Sequence, residues 1–208
     1  MIIGFAGKAA SGKTTAARQM ATLLQGDVQI IPMASLLREE VAEFLTRVGS
    51  SQYVPLVYGC QEDKIRTFYI DRIKADEECP KWDHFISEHK EIQDLDKMTA
   101  VTVRRILQWW GTEYRREQDA DYWTKAWASK VEENDLETTH ILVDDIRFMN
   151  ELEALKNEGG LIVKIERPGF NGAGNHASET SLDDYSGWDE VINNNGTLQQ
   201  FLDKVSDL

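Results

Sequence analysis

An α/β fold is what this 208-residue sequence predicts: a parallel five-stranded sheet carrying a phosphate-binding loop, with a helical insertion and a lid. Three observations lead there. Short apolar runs at residues 2–6, 28–33, 141–143, 161–165 and 191–192 alternate with helical patterns, and runs apolar on both faces suit strands buried in a parallel sheet. The first run passes directly into Gly7-Lys8-Ala9-Ala10-Ser11-Gly12-Lys13-Thr14-Thr15, which fits GxxxxGK[ST] between a strand and a helix. About a hundred residues separate the second and third runs, far more than a βα crossover requires, so an inserted unit lies between them.

Taken in order, the first element is the strand–loop–helix unit. Gly7 and Gly12 let the backbone curl until its N–H groups point inward, and Ala10, Ser11 and Thr15 extend that nest to the N-terminus of a helix over 14–21, where a polyphosphate is held. Lys13 adds a cation for β- and γ-phosphates, and the Thr14 hydroxyl is suited to Mg²⁺. The strand before and the helix after argue against a chance glycine turn, so a nucleoside triphosphate site is expected.

The insertion is read as residues 35–134. Its first part, 50–98, is polar, contains Pro55 and Pro80, and shows no usable periodicity. Its second part predicts helices over 99–118 and 121–133, with Thr99 and Asp121 as N-caps. On the first of these, Arg104, Gln108 and Thr112 are four apart and share a face beside Gly111. An arginine there suits a phosphate and a glutamine suits a base edge, although the same face also reads as ordinary solvated decoration. Trp109, Trp110, Trp123 and Trp127 sit at near-helical spacing and read as core, with Trp123 the ring best suited to stacking on a base. Cys79, His84 and His89 contain no CxxC pair, and a zinc reading is set aside.

The third strand ends in Asp144-Asp145-Ile146-Arg147. A carboxylate at the end of a buried strand beside such a loop serves Mg²⁺, and the choice between Asp144 and Asp145 stays open because successive side chains point to opposite faces. Arg147 opens the next helix, an unfavourable place for a cation against the helix dipole, which favours a role on a phosphoryl group. The fourth strand runs into Arg167 and a lid loop over 167–187, where three glycines within 169–174 predict mobility. Arg167 is read as a lid arginine that neutralises charge during transfer, and His176 and Glu179 as loop anchors.

Thirty-six acidic residues against 23 basic ones give a net charge of −13, which argues against a nucleic-acid polymer as partner. Two cysteines suggest no disulfide framework, and no apolar run reaches membrane-spanning length, so a cytoplasmic protein without membrane partners is expected.

Five blocks resemble the deoxynucleoside monophosphate kinases of tailed bacteriophages and some bacteria. They are the loop itself; Arg104-x3-Gln108-x2-Gly111-Thr112-Glu113-x2-Arg116 followed by Asp121-x-Trp123; Asp144-Asp145-Ile146-Arg147-Phe148-x-Asn150-Glu151; Arg167-Pro168-Gly169 with His176-x-Ser178-Glu179; and Asn195-Gly196-Thr197-Leu198. The resemblance implies a P-loop kinase core with a helical NMP-binding insertion and a lid. ATP with Mg²⁺ would donate its γ-phosphoryl group to a deoxynucleoside 5′-monophosphate. Lys13, Arg147 and Arg167 would carry the transfer, Thr14 and Asp144 the metal, and Asn195, Gly196 and Thr197 the donor adenine. The acceptor would lie against Arg104, Gln108, Thr112, Arg116, Trp123, Asp145 and Glu151, with Arg147 on its phosphate. Such a protein would act in the cytoplasm, the host's for a phage protein, and a homodimer is compatible. Trp109-Trp110 and Tyr114-Arg115 depart from the smaller residues expected there, and 50–98 has no counterpart. A P-loop kinase of another small acceptor, of dephospho-coenzyme A or gluconate type, and a non-catalytic ATP switch are the alternatives.

Overall fold

Every residue of β1 (Ile2–Ala6) is buried in the computed structural model, which describes residues 1–88, 93–95, 97–169 and 176–208. A strand apolar on both faces is satisfied only inside a sheet covered on both sides, and β1 is the central strand. The chain divides into two units, Met1–Ser35 with Asp121–Leu208, and Leu36–Ala120. In the first, α1 (Lys13–Leu23) follows the glycine loop and β2 (Asp27–Ile30) forms a sheet edge. The strand stops short of the predicted 28–33 because Pro32 has no N–H for the ladder, the last bond being Ile31 N–H to the Leu142 carbonyl.

The chain then enters the second unit through α2 (Ser35–Arg47). There follow α3 (Val54–Tyr58), α4 (Gln61–Lys64), β3 (Thr67–Asp71), α5 (Arg72–Glu78), α6 (Trp82–Glu88), β4 (Gln93–Leu95), β5 (Met98–Thr102) and α7 (Val103–Trp109). The strands form an antiparallel sheet in the order β3-β5-β4, which the polar 50–98 stretch gives no hint of. The predicted helix over 99–118 is corrected at both ends. Its first residues are strand β5, where Thr99 pairs with Ile70 and Val101 with Phe68, and the N-cap is Thr102, whose hydroxyl accepts from the Arg105 amide at 3.3 Å. Thr99, Val101 and Thr102 are β-branched, and cross-strand pairing overrides a helical pattern that begins only at Val103. At the other end α7 widens into a π-turn, Trp110–Tyr114.

Phe44, Trp82, Phe85, Trp109, Trp110 and Tyr114 make one aromatic core in this unit, with ring centroids 4.8 to 6.4 Å apart. Glu40 closes it by accepting from Trp110 Nε1 at 2.7 Å and from Arg115 Nε at 2.8 Å. The bulky Trp109-Trp110 and Tyr114-Arg115 pairs are therefore the packing and the ion pair of this core.

The first unit resumes with α8 (Tyr122–Glu132), β6 (Thr139–Ile146), α9 (Met149–Asn157), β7 (Leu161–Glu166), α10 (Ala177–Thr180), β8 (Glu190–Asn193) and α11 (Leu198–Ser206). Asp121 occupies the N-cap of α8 without a capping bond from its side chain, which accepts from Asn150 Nδ2 at 2.9 Å. The sheet order is β2-β6-β1-β7-β8, parallel throughout. Period-2 alternation sorts its side chains. Ile3, Phe5, Val163 and Ile165 pack with Ala16, Ala17 and Met20 of α1 and Phe201 and Val205 of α11. Ile2, Ala6, Ile141, Val143 and Ile162 pack on the other face with Trp127 and Val131 of α8 and Leu152 and Leu155 of α9. The glycine-rich stretch expected to be mobile lies, at 170–175, outside the described residues, as does His89. Among the described residues no helix is long and apolar enough to cross a membrane.

Candidate active site

The loop between β1 and α1 owes its course to residues that accept left-handed backbone. Gly7 and Gly12 have φ of 139° and 114°, and Ala10 joins them at 61°. A Cβ on Gly7 would stand 2.4 Å from the Ile165 carbonyl oxygen, and one on Gly12 would stand 2.9 Å from Asn194 Nδ2 and 3.2 Å from the Phe201 ring. Both glycines thus combine a positive φ with close approach to a neighbour. Asn194 also donates from Nδ2 to the Ser11 carbonyl at 2.8 Å, so the turn after β8 is fastened to the loop. In that turn Thr197 caps α11, its hydroxyl accepting from Gln200 N, while Asn195 Oδ1 accepts from Lys204 Nζ at 3.3 Å. A Cβ on Gly196 would meet Gln200 Oε1 at 2.3 Å.

Lys13 is 7% exposed and its Nζ curls back to donate to the Gly7 and Lys8 carbonyls at 2.7 and 2.8 Å. Burial first and then the Arg147 charge lower its ammonium to about 7, against the opposing pull of Glu179, Asp145 and Asp144. Beside it Thr14 Oγ1 donates to Asp144 Oδ2 at 2.6 Å.

The two adjacent aspartates part company at a break in the β1–β6 register. Gly4 pairs with Val143 but Ala6 pairs with Ile146, so β6 carries one additional residue there. Such a bulge re-aims side chains. Asp144 turns to Thr14, and Asp145 accepts from the Met33 and Ala34 amides at 2.7 and 3.2 Å. Asp144 Oδ1 and Ser11 Oγ are buried without a hydrogen-bond partner among the described residues. A buried, unsatisfied carboxylate oxygen next to a hydroxyl is a hard-oxygen donor set that fits Mg²⁺.

Arg147 begins the turn after β6. Glu151 Oε2 accepts from its backbone amide at 2.7 Å and from that of Phe148 at 3.1 Å, capping α9. The guanidinium reaches α10 instead: Nη1 donates to the Ser178 carbonyl at 3.1 Å and pairs with Glu179 Oε1. Glu179 Oε2 accepts from the Ala9 amide at 2.8 Å, and its main-chain carbonyl accepts from Lys8 Nζ at 2.7 Å, which also pairs with Asp183. Burial pushes the Glu179 carboxyl up, but Arg147, the Ala9 amide and Lys13 outweigh it and hold it below the usual carboxylate range. His176 caps α10, with Nδ1 facing the Ser178 amide at 3.2 Å. Arg167 Nη1 donates to the Ala10 carbonyl at 3.1 Å. A cavity of about 280 Å³ abuts the loop, and Gly7, Ser11, Arg147, Arg167 and Glu179 are among its lining residues.

Gly7, Ala10, Ser11, Gly12, Lys13, Thr14, Asp144, Arg147 and Arg167 thus gather around one loop, with Thr15 exposed on the first turn of α1. Trp123 is buried edge-on to Tyr122, centroids 4.7 Å apart. In the second unit, Arg104 and Gln108 lie on α7 and Thr112 lies in the π-turn, a wide turn of the kind frequent at functional sites. Arg104 Nη2 donates to Gln61 Oε1 at 2.5 Å and Arg116 Nη1 to the Ala120 carbonyl at 3.1 Å. Cys79 is buried, His84 is exposed and pairs with Glu88, and no metal-binding cluster occurs among the described residues. Sequence reasoning passed over Lys8 and Asn194. The Asn193-Asn194-Asn195 run closing an apolar strand was a usable signal for the latter; for Lys8 there was none.

The family described as deoxynucleotide monophosphate kinase matches residues 35–205. A protein of Acanthamoeba polyphaga mimivirus, provisionally named a deoxynucleotide monophosphate kinase, is 26% identical over 215 residues, covering 99% of this chain and 94% of its own. The deoxynucleotide monophosphate kinase of Enterobacteria phage T4 is 29% identical over 106 residues, covering 50% of this chain and 44% of its own. With a five-stranded parallel sheet, a phosphate loop at the end of its central strand, and a family match over most of its length, the chain belongs to the deoxynucleotide monophosphate kinase family.

Proposed function

We propose that this chain transfers the γ-phosphoryl group of ATP to deoxynucleoside 5′-monophosphates, yielding ADP and deoxynucleoside diphosphates for DNA synthesis. It is thus a phosphotransferase with a phosphate group as acceptor. The observation that carries the reading is the convergence of Lys13, Arg147 and the Thr14–Asp144 pair on one loop in a chain of this family. The chemistry is electrostatic. Donor and acceptor bring several negative charges together, and the loop amides, Lys13 and the arginines compensate them while water is kept out. An acceptor phosphate oxygen is already a nucleophile, so no general base is needed. Thr14 and Asp144 would hold Mg²⁺, which when bound offsets phosphate charge.

Within that scheme, Gly7 to Thr15 hold the triphosphate and the Asn195-Gly196-Thr197 turn lines the donor base. Arg147 takes the acceptor phosphate and Arg167 the transferred group. Recognition of the acceptor nucleoside is assigned to Arg104, Gln108, Thr112 and Arg116 by residue type. Trp123, Asp145 and Glu151 support the site through packing and main-chain hydrogen bonds.

The test is an acceptor panel under coupled ADP detection. One or more of dAMP, dGMP, dCMP and dTMP is expected to stimulate ADP release well above ATP alone. Turnover of dephospho-coenzyme A or gluconate with none of the four refutes the acceptor. Slow hydrolysis unaffected by any acceptor favours a switch.

A pH dependence follows from the depressed Lys13 ammonium. Above pH 7 the free protein carries this lysine largely neutral, whereas a bound polyphosphate favours its charged form, so binding takes up a proton. ATP affinity is expected to fall as pH rises from about 7, by up to tenfold per unit. Calorimetry at pH 8 in buffers of different ionisation enthalpy is expected to register uptake of nearly one proton. Zero uptake contradicts a neutral resting lysine.

A further inference from the structure

We infer that Glu179 is a positioning residue for phosphoryl transfer, whose carboxylate clamps Arg147 to the phosphate loop and leaves the other arginine nitrogens for a phosphate. This rests on the reading that Arg147 contacts the acceptor phosphate. Glu179 stands on α10, 170 residues beyond Ala9 and 32 beyond Arg147, yet it joins them. One carboxylate oxygen accepts the Ala9 amide at 2.8 Å and the other pairs with Arg147 Nη1. Both hydrogen bonds of the guanidinium among the described residues, to Glu179 and to the Ser178 carbonyl, fall on that one nitrogen.

A guanidinium is a rigid planar fork, so fixing one nitrogen at two acceptors fixes the plane. Nε and Nη2 stay available for the paired contact that an arginine makes best with a phosphate. The main chain of Arg147 is set separately by Glu151, whose Oε2 accepts its amide at 2.7 Å. Backbone and head of the same arginine are thus each held by a carboxylate. Packing does not account for Glu179, which is 7% exposed, because an apolar side chain would fill the space without the cost of burying a charge. Precise placement of a functional group by its supporting residues does account for it. The Glu179 main-chain carbonyl, bonded to Lys8 Nζ at 2.7 Å, ties α10 itself to the loop.

The experiment is a double-mutant cycle on the full chain with Glu179→Gln, Arg147→Ala and the double variant, measuring kcat and KM for the deoxynucleoside monophosphate and for ATP. Glu179→Gln is expected to lower kcat/KM for the monophosphate about 10- to 100-fold, as loss of a charged hydrogen bond does, with KM for ATP changed less than about threefold. In the Arg147→Ala background the same substitution is expected to change kcat/KM by less than about twofold. Equal losses in both backgrounds, parallel movement of the ATP KM, or no loss at all overturns the inference. Unfolding midpoints accompany each variant, and if the Gln variant does not fold, Glu179→Asp enters the same cycle under the same criteria. Wild-type protein that phosphorylates no deoxynucleoside monophosphate refutes the proposed activity itself, before any variant is compared.

Discussion

Lys13→Ala is expected to lower phosphoryl transfer by about 10³-fold or more while leaving the fold in place. Among the described residues the lysine Nζ donates to the Gly7 and Lys8 carbonyls alone, both on the loop, and its side chain carries a depressed ammonium that burial already disfavours. Removing it costs two hydrogen bonds that water can replace, and it relieves a desolvated charge. Catalysis loses the mobile cation that follows charge across the β- and γ-phosphates. Steady-state turnover and a thermal melt of the same sample separate the two effects. Turnover within tenfold of wild type contradicts the loop's assigned role, and a collapsed melt contradicts the structural part.

The second large effect is expected from Arg147→Ala, on the order of 10³-fold in kcat/KM for the monophosphate, with the ATP KM nearly unchanged. Stability also falls, because Glu179 is left as a buried carboxylate whose remaining hydrogen bond among the described residues comes from the Ala9 amide. Arg147→Lys keeps a charge but loses the planar fork, so it is expected to recover stability more than rate. Kinetics with each substrate varied in turn decide the matter. Equal losses against both substrates contradict a specific role toward the acceptor.

How much of this was legible in the sequence depended on whether the signal was local. The loop was legible because strand, glycines, lysine and helix are contiguous, and the sheet because its inner strands β1 and β6 are apolar on both faces. The split between Asp144 and Asp145 was not legible. It is set by one additional residue in β6 opposite β1, a register detail that only the partner strand reveals. Thr99 was misread as a helix cap because its strand partners lie in 67–71 and 93–95, runs of five and three residues too short to announce a sheet by themselves. Trp109 and Trp110 looked out of place beside a site until Phe44, Trp82 and Phe85 surrounded them. Glu179 was recognised only as an anchor, since nothing in a linear sequence connects it with Ala9.

The central claim is that a phosphoryl group passes directly from one nucleotide to another on this chain. The fate of the label in γ-labelled ATP, incubated with Mg²⁺ and each of the four deoxynucleoside monophosphates, tests it most directly. The expected result is label in a deoxynucleoside diphosphate, matched by ADP formed. Label recovered solely as inorganic phosphate, with every monophosphate left unchanged, would contradict it.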